Sequence, residues 1–115
     1  MSLIVTLYYT GKDGAARKFA REMLDGGTVA AIRNEPGNLR YDYYFSLEDE
    51  ETLLLIDSWE NQTALDAHHA SPMMQTILDL REKYGLQVCA ERFFSDPQGV
   101  PAGDQKFLSE PTFPK

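Results

Sequence analysis

The chain has 115 residues, 43% of them hydrophobic and 25% charged, which bounds it to one globular domain with one core and excludes wholesale disorder. Its formal charge of −7, with basic residues spread from Lys12 to Lys115 rather than gathered on one face, argues against a nucleic-acid partner. A single cysteine excludes an intramolecular disulfide, and neither a leader-like start nor an apolar run of membrane length is present, so the protein is expected to be cytoplasmic with no membrane partner.

Leu3 to Thr10 is rich in β-branched and aromatic residues and stops at Gly11, which predicts a first strand. Lys12-Asp13-Gly14 breaks it, with Asp13 the expected N-cap of a helix. Ala16, Phe19, Ala20 and Met23 then recur at i, i+3, i+4 and i+7, an amphipathic stripe with Arg17, Lys18, Arg21 and Glu22 turned outward. Gly26-Gly27 interrupts the helix, Val29 to Arg33 adds a further turn or two, and Pro36-Gly37 forces a sharp reversal.

Asn38 to Ser46 carries Leu39, Tyr41, Tyr43 and Phe45 on one parity and predicts a second strand. Thr52 to Trp59, apolar until Asp57, predicts a third, joined to the second as an antiparallel hairpin. The run Glu48-Asp49-Glu50-Glu51 between them reads as a solvated turn, because consecutive carboxylates have neither metal-loop spacing nor an ordering glycine. Asn61 is the expected cap of a helix that places Leu65 and His68 three residues apart on one face. Ser71-Pro72 restarts helical structure, with Met73, Ile77, Leu80 and Tyr84 as its buried stripe and Gly85 as its end. Leu86 to Phe94 is the last predicted strand, where Cys89 in an apolar alternation reads as a buried, inert thiol. Residues 95–115 hold four of the six prolines and read as an extended arm across a partner subunit, with Phe107-Leu108 its apolar point.

The order strand, helix, strand, strand, helix, strand is the split β-α-β pattern of an α+β ferredoxin-like domain over residues 1–94, with helices on one face of a four-stranded antiparallel sheet. Leu53 and Leu55 on one parity and Leu54 and Ile56 on the other make both faces of that sheet apolar. A second copy packed sheet to sheet would cover the free face, so a homodimer is expected, with the pocket enclosed between the two sheets.

The strong catalytic signatures are missing: no phosphate-binding glycine loop, paired cysteines, nucleophile elbow or His-Glu-x-x-His. His68 and His69 are adjacent, diverge on a helix and cannot share a metal as an i, i+4 pair would, so no metal is expected. Four single residues remain. Asp57 and Trp59 share a parity at the end of the third strand, His68 lies on the helix that follows, and Asn38 opens the neighbouring strand. Together they offer a proton acceptor, orienting groups and an apolar wall. Each also has an ordinary reading: a lone tryptophan in the core, or a helix histidine at the surface. Asp57 is the least ordinary, because a carboxylate inside an apolar strand must be paired or shifted in pKa.

The stretches Glu35-Pro36-Gly37-Asn38-Leu39-Arg40-Tyr41, Asp57-Ser58-Trp59-Glu60-Asn61, Ala64-Leu65-Asp66-Ala67-His68 and Ser71-Pro72-Met73-Met74 resemble the antibiotic biosynthesis monooxygenase family in order and spacing. The resemblance spans about residues 3–94 and implies a dimeric α+β barrel. It implies a cofactor-independent monooxygenase, in which a quinol or phenol-like aromatic substrate is deprotonated and its anion reacts with dioxygen. His68 matches the family's helix histidine and would be the base or anion stabiliser. Asp57 and Asn38 would orient substrate or oxygen, and Trp59 and Tyr41 would wall the pocket. No cofactor is expected, since the substrate supplies the electrons.

The alternatives are an isomerase of a small phosphorylated carbonyl metabolite, whose phosphate would need Arg33 and Arg40, and a non-catalytic binder of a hydrophobic metabolite. Met73 stands where many relatives carry a second histidine after the Ser/Thr-Pro pair, which departs from any two-histidine scheme. The haem-degrading branch resembles the chain poorly. Its helix tryptophan falls near His68, its later histidine falls at Leu78, and its first-strand asparagine is absent from Leu3 to Thr10.

Overall fold

Pairing of the four apolar segments accounts for the architecture seen in the computed structural model, which describes residues 1–109. β1 (Leu3–Thr10) and β3 (Thr52–Trp59), the most apolar segments, lie side by side at the centre. β2 (Asn38–Phe45) and β4 (Gln87–Phe94) form the edges, in the order β2-β3-β1-β4, and every pair is antiparallel. Along β1 and β3 the expected alternation holds. Leu3 and Tyr9, with Leu53, Leu55, Asp57 and Trp59, face the helices and are buried, whereas Ile4, Leu54 and Ile56 face the other way and keep part of their surface exposed. This is the α+β ferredoxin-like fold read from the sequence.

The covering layer is built from α1 (Ala15–Asp25), α2 (Thr28–Arg33), α3 (Gln62–His69) and α4 (Pro72–Lys83). The stripe Ala16, Phe19, Ala20 and Met23 on α1 is wholly buried, and α2 adds Val29 and Ile32. Phe19, Met23, Ile32, Leu53 and Leu55 are closed to solvent, each worth about 1.5–3 kcal/mol of burial. No helix among the described residues is long and apolar enough to cross a membrane.

Several local expectations change. Gly14, not Asp13, precedes α1, and both take a positive φ. The helix N-terminus is instead capped from outside, where the Gly14 N–H donates to the Glu51 carboxylate at 3.0 Å. One member of the acidic run therefore has a structural task. Leu39 is 52% exposed because a bulge between Asn38 and Arg40 takes it out of the strand alternation. Ser71 precedes α4 but makes no side-chain cap bond. Cys89 is exposed rather than buried, because it lies on an edge strand facing away from the helices, opposite Tyr8. The arm leaves the sheet at Ser95, whose Oγ accepts from the Ser2 N–H at 2.8 Å, and contains a 3-10 helix, Ala102–Phe107. Phe107 and Leu108 are 77% and 54% exposed. The rest of the predicted arm, residues 110–115, lies outside the described residues.

Candidate functional site

At the end of β3, the i, i+2 spacing turns Asp57 and Trp59 to the same, helix-covered face. There the Trp59 Nε1–H donates to Asp57 Oδ1 at 2.6 Å, a buried bond within the strand. The chain then enters α3 through Asn61, whose Oδ1 accepts from the Ala64 N–H at 2.9 Å. That cap sets the helix phase, and the phase turns Leu65 and His68 inward. The His68 ring stacks on Trp59, with centroids 4.8 Å apart and planes 27° from parallel. Tyr41 from β2 meets the imidazole edge-on at 6.4 Å.

A fourth element closes the group. The turn Glu35–Asn38 is held by Glu35 N–H to Ile32 O at 3.0 Å and Asn38 N–H to Glu35 O at 3.1 Å. Gly37 carries it against α3: its carbonyl accepts from the Glu60 N–H at 2.8 Å, and a Cβ there would lie 2.5 Å from Ala64 Cβ. With φ at 82°, the position favours glycine twice over. So docked, the turn places Glu35 Oε1 2.8 Å from His68 Nδ1.

Burial governs the electrostatics. It pushes the Asp57 carboxyl from 3.8 up to about 6, against the pull of His68 and the Trp59 N–H, while Glu35 adds to the rise. Burial likewise raises the Tyr9 phenol to about 12 and drives Tyr41 and Tyr43 well above their ordinary value. The phenols are thus neutral at physiological pH and Asp57 is poised near it. Trp59, Tyr41, His68 and Asp57 are each at most 4% exposed, so the site is closed.

The structure therefore gathers His68, Asp57, Trp59 and Tyr41, and it does so within a single chain. All four lie on the helix side of the sheet, not on the free face where a pocket between two sheets was expected. Arg33 and Arg40 are not brought there. Arg33 donates to the Tyr41 carbonyl at 2.8 Å and to Asp42 Oδ1 at 3.0 Å, while Arg40 donates to Asp42 Oδ2 at 2.9 Å and to the Tyr44 hydroxyl at 2.6 Å. Asn38 is level with Trp59 in the register, but its amide N–H groups reach the Arg40 and Ser58 carbonyls at 3.3 and 3.4 Å and brace the bulge. Glu35 is the site residue that sequence reasoning missed; its signal was an acid directly before the Pro36-Gly37 turn, read only as a reversal of the chain.

Comparison with known proteins follows the same lines. A family model described as antibiotic biosynthesis monooxygenase matches residues 2–80. A search of curated protein sequences returned no significant match. Among solved structures, PA3566 from Pseudomonas aeruginosa is 25% identical with a TM-score of 0.70, over 82% of this chain and 93% of that one. A protein provisionally described as an antibiotic biosynthesis monooxygenase, from Nitrosomonas europaea, is 16% identical with a TM-score of 0.75, over 86% and 94%. SnoaB, a cofactor-independent oxygenase from Streptomyces nogalater, is 16% identical with a TM-score of 0.68, over 83% and 93%.

Proposed function

Because the chain belongs to the antibiotic biosynthesis monooxygenase family, we propose that it is a cofactor-independent monooxygenase acting on a small quinol or phenol-like aromatic, with dioxygen as co-substrate. The observation that carries this reading is the buried His68–Trp59 stack with a carboxylate at each ring's N–H edge, Glu35 at His68 Nδ1 and Asp57 at Trp59 Nε1. A histidine in a dry, aromatic-walled site is suited to take a phenolic proton, and the electron-rich face of Trp59 favours the imidazolium that results. The substrate anion gives up electrons to dioxygen. One oxygen atom joins a ring carbon, and the other leaves as water with two hydrogens of the substrate, so the substrate is its own reductant. Exclusion of water protects the anion and strengthens each electrostatic contact within the site. His68 is the base, Asp57 holds Trp59, and Trp59 and Tyr41 are the walls. Since all four are closed to solvent, admission of the substrate requires the covering layer to open locally.

The isomerase reading loses its support, because Arg33 and Arg40 are engaged with Asp42 and not at His68. A homodimer is part of the proposal: Ile4, Leu54 and Ile56, flanked by Tyr44 and Phe93 at 41% and 48% exposure, form an apolar sheet face that a second copy would cover. So is a cytoplasmic location, which keeps the exposed Cys89 reduced. The function is tested by adding air to anaerobic mixtures of protein and hydroquinones. Oxygen uptake above the uncatalysed rate, lost in His68→Ala, is expected. Melting shifts without turnover would instead mark a non-catalytic binder.

A further inference from the structure

We propose that Glu35 is the positioning residue for His68: it holds the imidazole as the Nδ1–H tautomer and so leaves Nε2 as the nitrogen that takes the substrate proton. The tautomer assignment stands on the geometry alone, while the use of Nε2 rests on the proposed monooxygenase function.

The groups facing His68 come from every element around it: Glu35 from the turn, Asp57 and Trp59 from β3, Tyr41 from β2, and His69 on its own helix. Among the described residues, Glu35 alone makes a hydrogen bond to the ring, at Nδ1. A carboxylate only accepts, so the neutral imidazole must donate from Nδ1 and carry its lone pair on Nε2. Free imidazole side chains favour the opposite tautomer, so the contact selects a form the ring would not choose.

Glu35 can hold this role because it is itself held. Its N–H and carbonyl are both bonded in and beside the turn, its side chain is 12% exposed, and Gly37 locks the turn against Ala64 on α3 and Glu60 just before that helix. The partners are 33 residues apart, so the bond also fixes the turn before β2 to the face of α3 that carries the base. When His68 takes a proton, the same carboxylate faces the new positive charge, the arrangement by which a carboxylate orients and supports a catalytic histidine.

The test is long-range proton–nitrogen correlation NMR on the uniformly 15N-labelled full chain without substrate, at a pH where the imidazole is neutral. His69→Gln identifies the His68 signals. The wild type should show a pyridine-type Nε2 and a protonated Nδ1. Glu35→Gln, whose amide oxygen still accepts, should keep that form, and Glu35→Ala should shift toward Nε2–H. In turnover, Glu35→Ala should lower kcat about tenfold or more with KM little changed, against the 10²–10⁴ of a full general-base contribution, and Glu35→Gln should recover most of it. An Nε2–H ring in the wild type, or an unchanged tautomer in Glu35→Ala, overturns the assignment; the wild-type spectrum decides even if a variant fails to fold. A Glu35-dependent tautomer in a protein that turns over no phenol supports the positioning role and removes the proposed reaction.

Discussion

Replacing Asp57 by Asn isolates the cost of keeping a carboxylate beside Trp59 at the inner end of β3. The amide is close in shape, and its oxygen can still accept from Trp59 Nε1, so the 2.6 Å bond need not be lost. What changes is the charge. A carboxyl raised from 3.8 to about 6 holds its proton more tightly folded than unfolded. The stability it contributes is complete below pH 4 and is lost as pH rises toward 6. The full loss is about 3 kcal/mol, at 1.36 kcal/mol for each pKa unit. Asp57→Asn should therefore match the wild type in urea unfolding near pH 4 and exceed it by up to about 3 kcal/mol near pH 7.5. Taking the difference between variant and wild type at each pH cancels the carboxylates they share. A group that lowers stability at neutral pH, yet sits against the proposed base, fits a functional rather than a structural role. Equal stability at both pH values, or a variant less stable at pH 7.5, would show that the buried charge is not costly and refute the reasoning.

Gly37→Ala must accept a positive φ and place its Cβ against Ala64, so it should destabilise the fold by about 2 kcal/mol or more by thermal or urea unfolding. Any folded fraction should have lost the Glu35–His68 contact, visible as the tautomer shift of Glu35→Ala; wild-type stability would mean that the turn does not dock on α3. On the opposite face, Ile56→Glu puts a carboxylate on the apolar sheet surface and should convert a dimer to a monomer by light scattering at micromolar concentration, with the fold intact by circular dichroism. A monomeric wild type would remove the pairing outright.

Sequence periodicity carried the fold far because its signals are local. The α1 stripe and the two-faced apolar β3 each declare their period within ten residues or so, and the chain order then leaves few topologies. Half the site was legible by the same means: the shared parity of Asp57 and Trp59, together with the Asn61 cap, is enough to turn the carboxylate, indole and imidazole to one face. What could not be read was tertiary. Glu35 reaches His68 only because Gly37 lets the turn approach α3, and no local pattern encodes that approach. Arg33 and Arg40 looked like free cations until Asp42, between them in space, engaged both. Leu39 fell out of its expected parity because the bulge inserts one residue, and Cys89 was assigned to a core that an edge strand does not have on its outer face.

The central claim is that His68 takes the phenolic proton before oxygen reacts. Ultraviolet absorption of an anaerobic mixture of the protein with a hydroquinone, followed by rapid addition of air, tests it most directly. The account predicts the absorption of the bound anion before any oxygen is present, its decay with oxygen uptake in the wild type, and neither signal in His68→Ala. A bound phenol that stays neutral in the wild type, or His68→Ala consuming oxygen at the wild-type rate, would contradict it.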